Sequence, residues 1–265
     1  MIIPLRTKEY GSLHMSVYAT NAAMGEAAAD EARDIIVAAI KAQGHANVIL
    51  ATGNSQLTFL HALRGLPGIE WQKVNVFHMD EYVGIDPKHP ASFPLFLRQH
   101  ILDIVKPGAF YPVPGQAADP STGSGRADAA CREYEALLKA HPADLCAMGI
   151  GENGHIAFND PPFADFDDPV WAKIVKLDER SRHQQVGEGH FPNLAAVPTH
   201  AITLTIPALL SAKRILCIVP EARKAEAVEK SLLGPLTEDC PASILRQVGH
   251  AHLLLDQEAA ARLKW

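Results

Sequence analysis

Short apolar runs alternate with longer helix-like stretches along the whole of the 265-residue chain. Several of the apolar runs are rich in Val, Ile and Leu at every position, as strands buried on both faces of a sheet are. The stretches between them have the Ala content and the apolar spacing of amphipathic helices. This alternation predicts an α/β fold in which a mostly parallel central sheet is flanked by helices. The simplest interpretation is one doubly wound domain over residues 1–265.

The same pattern locates the individual elements. The predicted strands are Leu13–Tyr18, Asn47–Ala51, Val74–His78, Leu145–Ile150, Lys173–Leu177, Ala201–Leu204, Arg214–Val219 and Ala251–Leu254. The predicted helices are Ala22–Lys41, Ser55–Arg64, Ser92–Ile104, Gly125–Ala140, Glu221–Leu232 and Gln257–Leu263. Two segments rich in Pro and Gly are predicted to be surface loops, Pro107–Gly125 and Asp160–Pro169.

Charge and hydropathy exclude several classes of protein. The formal net charge is −6 and Lys and Arg form no continuous stripe, so a general nucleic-acid binder is not expected. The apolar runs are far shorter than the roughly 20 residues that span a bilayer, so no membrane segment is expected. The segment Met1–Tyr10 lacks the apolar core of a signal peptide, and the four cysteines are scattered. We therefore expect a cytoplasmic protein with buried, inert thiols.

A glycine-containing turn, Thr52-Gly53-Asn54-Ser55, leaves one predicted strand and opens the helix that follows. Backbone N–H groups and the helix dipole can converge on an anion at such a turn, and Ser55 can cap the helix or donate its hydroxyl. Lys224, at the start of a later helix, would add a point charge to a phosphate site. An ordinary turn and a solvated lysine remain the alternatives at this stage.

Acidic residues follow the predicted strand Val74–His78, in the run Asp80-Glu81-Tyr82-Val83-Gly84. Ligands of open α/β sheets bind beyond the carboxyl ends of the strands, so these side chains face the expected crevice. A pair of carboxylates there could move protons between substrate atoms. A solvated acidic turn or a helix N-cap is the alternative.

The third candidate is a glycine-rich loop of sequence GIGENGHIAFNDP, residues 149–161, which again follows a buried strand. Its histidine, His155, stands between Asn153 and Asp160, and either of these could orient the imidazole ring. The three glycines keep the backbone tight and accessible. A histidine in such a turn beyond a strand favours a functional role over a structural one.

Other sites with recognisable motifs are not predicted. His250 and His252 share one strand face, but no third metal ligand has suitable spacing, and the motifs HExxH and GxSxG are absent. The glycines of the His155 loop match GxGxxG formally, yet they do not open a helix within a βαβ unit. Neither a metal centre nor a dinucleotide site is therefore expected.

Three motifs occur together in one order: Phe77-His78-Met79-Asp80-Glu81-Tyr82-Val83-Gly84, then His89-Pro90-Ala91-Ser92-Phe93, then Gly151-Glu152-Asn153-Gly154-His155-Ile156-Ala157-Phe158-Asn159. Together they closely resemble the glucosamine-6-phosphate deaminase family, which is related to 6-phosphogluconolactonase. The resemblance runs across nearly the whole chain, from the Ala-rich first helix to Lys224. It implies a three-layer, modified Rossmann-like fold and no metal or organic cofactor.

The resemblance also implies roles in proton transfer. Asp80 matches the base that moves a proton between C2 and C1 of the open-chain sugar, and Glu81 is its companion. His155 matches the residue that opens the pyranose ring by passing a proton to the ring oxygen. Two neighbours in the His155 loop differ from the better-known members, because Asn153 stands where they have Asp and Asp160 stands where they have Glu.

The substrate phosphate is assigned by the same resemblance to the turn Thr52–Ser55 and to Lys224. An arginine is expected as well, after the His155 loop. The run Arg180-Ser181-Arg182-His183-Gln184-Gln185 aligns ambiguously with it, and Arg182 is the residue chosen.

The reaction that the resemblance implies is the conversion of glucosamine 6-phosphate and water to fructose 6-phosphate and ammonia. The partner is then a small hexosamine phosphate, and a homo-oligomer is possible. Three alternatives stay open: the galactosamine analogue, a 6-phosphogluconolactonase, and a sugar-phosphate sensor without catalytic activity. The retention of both Asp80 and His155 speaks against the sensor.

Overall fold

The structure is a computed structural model that describes residues 2–116, 124–161, 163–187 and 189–265. Its strands are β1 Arg6–Tyr10, β2 Leu13–Tyr18, β3 Ala46–Leu50, β4 Val74–His78, β5 Asp80–Tyr82, β6 Ala109–Tyr111, β7 Leu145–Met148, β8 Ala172–Lys176, β9 His200–Leu204, β10 Ile215–Val219 and β11 Ala251–Asp256. Its helices are α1 Asn21–Gln43, α2 Leu57–Gly65, α3 Phe93–Leu97, α4 Asp103–Val105, α5 Ser124–Ala140, α6 Glu179–Gly187, α7 Ile206–Leu210 and α8 Ala225–Leu233.

Eight of these strands form a central sheet in the order β1-β2-β11-β10-β7-β3-β4-β6. All neighbours pair in parallel except β1 and β2, which are antiparallel. Every residue of β3, β7 and β10 is buried, which explains why their sequences are apolar except for Asn47, whose side chain is hydrogen-bonded. The predicted mostly parallel sheet is thus confirmed.

Helices cover both faces of this sheet, because successive side chains of each strand point to opposite sides. In β10, Ile218 packs in the cluster that contains α1 and α2, whereas its neighbour Cys217 packs in the cluster that contains α5, α7 and α8. The predicted three-layer arrangement is confirmed by these two apolar clusters. In the described part of the chain, no helix combines the length and the apolar character that a bilayer span requires.

A second, smaller sheet of three antiparallel strands has the order β5-β9-β8. The predicted strands Lys173–Leu177 and Ala201–Leu204 both form, but they belong to this sheet because they pair with each other and with β5. In its register Asp80 lies opposite Thr203. The small sheet therefore places an acidic residue at its first strand, close to the carboxyl end of β4.

Two helix predictions need correction. Gln257–Leu263 forms consecutive turns: the Asp256 carboxylate accepts the N–H of Ala259, and the N–H groups of Ala261 and Leu263 bond three residues back. The predicted helix Ser92–Ile104 is helical but interrupted, since a wider π-type segment, Arg98–Leu102, separates α3 from α4.

The predicted loop Pro107–Gly125 also differs in part from expectation. Its beginning contains β6, which adds a short strand to the edge of the central sheet through pairing with β4. Residues 117–123 of the predicted loop lie outside the described residues.

Candidate active site

Four neighbouring strands of the central sheet end at one pocket. The loops that follow β10, β7, β3 and β4 all contribute side chains or backbone to its lining. Between β7 and β3 the chain changes the direction in which it adds strands, so the loops on either side diverge and leave a crevice. The sequence motifs Thr52–Ser55, Asp80, His155 and Lys224 therefore meet at the same edge of the sheet, as predicted.

The turn after β3 leads into a short helical turn that lines the pocket. Gly53 has φ +93°, a backbone conformation that residues with a side chain rarely adopt. It directs the chain into the single helical turn Asn54–Gln56, which precedes α2. The buried Gln56 amide donates to Ser55 Oγ at 3.2 Å and to the carbonyl of Ile218 at 3.3 Å. This bond ties the turn to β10, the strand that leads to Lys224.

Positive charge comes from the turn after β10, in the segment Ala222–Lys224. Lys224 is buried. Both Lys224 and its neighbour Arg223 line the pocket. The Arg223 guanidinium also bonds to Glu221 and Glu152 at the rim. The sequence pointed to Lys224 alone, although Arg223 lies beside it in the same helix-opening turn.

The acidic centre of the pocket is Asp80, which is only 8% exposed. Burial, together with the charge of Glu81 next to it, raises the pKa of Asp80 to about 8. A carboxyl group whose pKa lies near neutrality can both accept and return a proton. Asp80 is therefore suited to general acid–base chemistry.

Glu81 points away from Asp80 and does not line this pocket. Its carboxylate accepts hydrogen bonds from Ser92 Oγ at 2.8 Å and from the N–H of Phe93 at 3.2 Å. Burial raises the pKa of Glu81 to about 7 even though these hydrogen bonds oppose the change. Glu81 thus holds the start of α3, whose Phe93 lines the pocket, rather than facing the substrate itself.

His155 is oriented by a buried carboxylate. Its Nδ1 lies 3.0 Å from Oδ1 of Asp160, which is 0% exposed, and 3.2 Å from Oγ of Ser181 on α6. Burial alone would raise the pKa of Asp160, but the charge of His155 and the hydrogen bonds from His155, Asn153 and Ser181 lower it overall. With Nδ1 engaged, Nε2 is the ring nitrogen left to a ligand in the pocket.

Asn153 acts on the carboxylate and not on the ring, in contrast to the expectation that it could orient the imidazole directly. Its Nδ2 donates to Asp160 Oδ1 at 3.0 Å, and its Oδ1 accepts the backbone N–H of His155 at 3.1 Å. The tight turn at Gly154, with φ +87°, brings these groups together. Asn153 therefore fixes the loop and the orienting carboxylate.

The loop after His155 is attached to β9 of the small sheet. Thr203 Oγ1 accepts the N–H of Phe158 at 3.1 Å, and Asn159 Nδ2 donates to the carbonyl of Leu204 at 2.8 Å. Because Thr203 also lies opposite Asp80, β9 holds both the acidic residue and the histidine loop. Sequence reasoning missed Thr203, since its role depends on a strand pairing between distant segments.

Arg182 is not brought into the pocket with the other predicted residues. Its Nη2 donates to the carbonyls of Leu194 and Val197, at 2.6 and 2.9 Å, so the guanidinium holds the turn that follows α6. Gln184 and Gln185 of α6, and His190 after that helix, line the pocket instead. The ambiguous alignment of this region explains why they were missed.

Comparison with known proteins identifies relatives over most of the chain. The sequence model of the glucosamine-6-phosphate isomerases/6-phosphogluconolactonase family matches residues 19–254. The glucosamine-6-phosphate deaminase of Exiguobacterium sibiricum is 39% identical over 214 residues, which cover 81% of this chain and 80% of that protein. A glucosamine-6-phosphate deaminase of Bacillus cereus is 34% identical over 225 residues, which cover 85% and 81%.

Solved structures give a consistent result. A monomeric glucosamine-6-phosphate deaminase superposes with a TM-score of 0.83 at 30% identity, covering 93% of this chain and 98% of that one. The 6-phosphogluconolactonase of Trypanosoma brucei superposes with a TM-score of 0.76 at 20% identity, covering 98% and 100%. At that identity the second likeness shows the fold alone, and it agrees with the predicted Rossmann-like arrangement.

Proposed function

Because the chain belongs to the glucosamine-6-phosphate isomerases/6-phosphogluconolactonase family, we propose that it converts glucosamine 6-phosphate and water to fructose 6-phosphate and ammonia. The observation that carries the proposal is the buried Asp80 carboxyl, whose pKa is raised to about 8, in the pocket that His155 also lines. Isomerisation requires one group that removes a proton from carbon and returns it to the neighbouring carbon. The raised pKa of Asp80 and its place in the pocket lining support this role.

In the proposed reaction His155 acts first. Nε2 takes the proton of the anomeric hydroxyl and gives a proton to the ring oxygen, so that the C1–O5 bond breaks and the open-chain aldehyde forms. The Asp80 carboxylate then removes the proton on C2 while the aldehyde oxygen takes a proton from water, which gives an enolamine. Asp80 returns its proton to C1 as the amine nitrogen gives one proton back to water, which leaves an imine at C2. The resulting imine at C2 adds water and releases ammonia, which leaves the ketose phosphate. Atoms balance without an added oxidant or reductant.

The phosphate of the substrate is proposed to bind at the other end of the pocket. Lys224 and Arg223 supply positive charge there, and the turn Thr52–Ser55 offers backbone N–H groups and the start of a helix. These groups stabilise the bound substrate and the transition state equally, because the phosphate has the same charge in both. They therefore support binding more than the chemical step.

Hydrolysis of 6-phosphogluconolactone is the second candidate, favoured by the similar fold of the lactonases. That reaction needs one general base to activate water and no proton transfer between carbons, whereas the pocket holds two candidate groups, Asp80 and His155. The galactosamine analogue differs from the proposed substrate only at C4. Both alternatives can be tested with the same purified protein.

The deciding experiment offers the protein a panel of glucosamine 6-phosphate, galactosamine 6-phosphate and 6-phosphogluconolactone. Ammonia, ketose phosphate and lactone consumption are measured separately. We expect ammonia and fructose 6-phosphate in equal amounts from the first compound. Lactone hydrolysis without ammonia release from either hexosamine phosphate would overturn the proposal.

Three further expectations remain proposals. We propose that residues 1–265 form one domain, since the two largest of the three apolar clusters pack on one central sheet. We propose a cytoplasmic location, which the four buried free cysteines suit. We propose that the chain can form a homo-oligomer, which light scattering tests; a solved glucosamine-6-phosphate deaminase of similar structure is monomeric.

A further inference from the structure

Ser181 is a buried residue of α6 that contacts the catalytic histidine and its carboxylate at once. Its Oγ lies 2.5 Å from Asp160 Oδ1 and 3.2 Å from His155 Nδ1, and the residue is only 2% exposed. We propose that Ser181 is a positioning residue for proton transfer at His155, a role that rests on the reaction proposed above. No sequence motif indicates it.

The two carboxylate oxygens of Asp160 have different surroundings. Oδ1 accepts hydrogen bonds from His155, Asn153 and Ser181. Oδ2 is buried without a hydrogen-bond partner among the described residues. A carboxylate held by three donors on one oxygen has little freedom to turn, since rotation would break all three bonds together. Ser181 supplies one of the three from a separate helix.

The hydroxyl also acts on the imidazole. When Ser181 donates its hydrogen to Asp160, the lone pairs of Oγ are free to accept the hydrogen on His155 Nδ1. Nδ1–H then has two acceptors, the carboxylate and the hydroxyl, and the tautomer with its lone pair on Nε2 is favoured. That tautomer is the one that can take a proton from a sugar hydroxyl in the pocket.

A purely structural role makes a different prediction. Ser181 could instead anchor α6, the helix that carries Gln184 and Gln185 into the pocket lining. Removal of an anchor would displace these two side chains and raise KM. Removal of a positioning group would lower kcat and leave KM nearly unchanged, because the protonation state of His155 matters only for the chemical step.

The first test is the kinetic comparison of Ser181→Ala with the wild type. We expect kcat to fall about 10- to 100-fold with little change in KM, the usual loss when a partner that orients a functional histidine is removed. Ser181→Cys keeps the volume but has only a weak S–H donor, so a loss in the same direction is expected there too. This second variant decides the question if Ser181→Ala does not fold.

The chain offers a matched control outside the pocket. Ser16 is also 2% exposed and lies 2.8 Å from Nε2 of His252, whose Nδ1 is 2.7 Å from Glu31. Ser16→Ala therefore removes a buried hydroxyl from a similar Ser–His–Glu chain. It is expected to leave kcat and KM unchanged.

A double-mutant cycle shows whether Ser181 acts through Asp160. In the Asp160→Asn background, Ser181→Ala should lower kcat by much less than in the wild type, because residues of one hydrogen-bond network are not additive. Equal losses in the two backgrounds would contradict the proposal. So would a normal kcat in a folded Ser181→Ala protein, or a change in KM alone.

A spectroscopic test separates this inference from the proposed reaction. The ¹⁵N signals of His155, assigned by comparison with His155→Gln, are recorded at alkaline pH. The wild type should show one dominant tautomer with hydrogen on Nδ1, and Ser181→Ala should move the two ring-nitrogen signals toward each other. Unchanged signals would overturn the positioning role even in an active enzyme, whereas moved signals support it even if no hexosamine phosphate is turned over.

Discussion

The imidazole ring of His155 lies directly against the α-carbon of Gly151. A Cβ at that position would overlap the ring atoms Cε1, Nε2 and Cδ2. The glycine is therefore required by close approach, since its backbone is not in the left-handed region. The geometry of the ring depends on Gly151 from one side and on Asp160 from the other.

Replacement of this glycine should damage activity more than stability. We expect Gly151→Ala to lower kcat at least about 100-fold, because the displaced ring loses its alignment with the substrate. Gly65→Ala is the matched control, since a Cβ at Gly65 meets open space. Turnover is measured by ammonia release, and full activity of a folded Gly151→Ala enzyme would contradict the described position of the ring.

Asp80 should be essential for turnover. Asp80→Asn is expected to lower kcat by about 10² to 10⁴, the usual contribution of a positioned general acid or base, because an amide cannot accept the C2 proton. Asp103→Asn is the control, since the side chain of Asp103 is exposed and lies outside the pocket. Near-normal turnover in folded Asp80→Asn protein would remove Asp80 from the mechanism.

The same variant should be more stable than the wild type at alkaline pH. The folded protein holds the Asp80 proton with a pKa of about 8, whereas an unfolded Asp releases it near pH 4, so wild-type stability falls as the pH rises from about 4 to about 8. The stability of Asp80→Asn should not fall in this way, because its amide does not titrate. Its free energy of unfolding should match the wild type near pH 4 and exceed it by more than about 1 kcal/mol at pH 8 to 9.

Urea unfolding across this pH range measures the difference. Asp103→Asn serves again as the control and should follow the wild type at every pH. A constant offset between Asp80→Asn and the wild type would show that the carboxyl of Asp80 does not titrate in this range.

The two cations of the pocket should act mainly on substrate affinity. Lys224→Ala and Arg223→Ala are each expected to raise KM about 10- to 100-fold with a smaller change in kcat, since a phosphate contact is felt in ground state and transition state alike. The control is Lys230→Ala, an exposed lysine of α8 that pairs with Glu226. A loss confined to kcat would argue against phosphate binding by either residue.

Asn153→Asp should create a pair of competing carboxylates. Nδ2 of Asn153 lies 3.0 Å from Asp160 Oδ1, so the new carboxylate would face Asp160 and replace a hydrogen bond with repulsion. The pKa of one member of the pair then rises. Stability should equal that of the wild type near pH 4 and decrease by about 1 to 2 kcal/mol as the pH rises toward 8.

The comparison variant for this test is Asn193→Asp. Asn193 is exposed, and its side-chain oxygen already caps the N–H of Ala196, which a carboxylate can also accept. It adds the same charge without repulsion by a buried neighbour. A pH-independent difference in Asn153→Asp would mean that Asp160 and the new carboxylate do not interact.

Much of the fold and the core of the site could be predicted from the sequence. Buried parallel strands have continuous apolar sequences, and their carboxyl ends meet at one edge of the sheet, so the sequence alone places Asp80, His155 and Lys224 together. The three-residue strand β5 could not be found in this way, because three residues show no periodicity. The pairing that forms the small sheet is therefore visible only in three dimensions.

Contacts between residues far apart in the sequence could not be predicted either. Ser181 reaches Asp160 from a helix of strongly polar sequence that no apolar pattern indicated. The resemblance favours Arg182 as the phosphate ligand. The direction in which a side chain points from its helix decides whether it enters the pocket, and Gln184 and Gln185 enter it instead. Charge alone does not distinguish these positions.

The attachment of Asp80 and of the His155 loop to one strand, β9, has a consequence for how this protein tolerates evolutionary change. Asp80 pairs with β9 in the small sheet, and the loop after His155 is hydrogen-bonded to Thr203 and Leu204 of the same strand. The two segments also follow β4 and β7, which are not neighbours in the large sheet, so β9 links the ends of two separated strands. We expect substitutions within β9 to be poorly tolerated, because a shift of this one strand would change the positions of both segments.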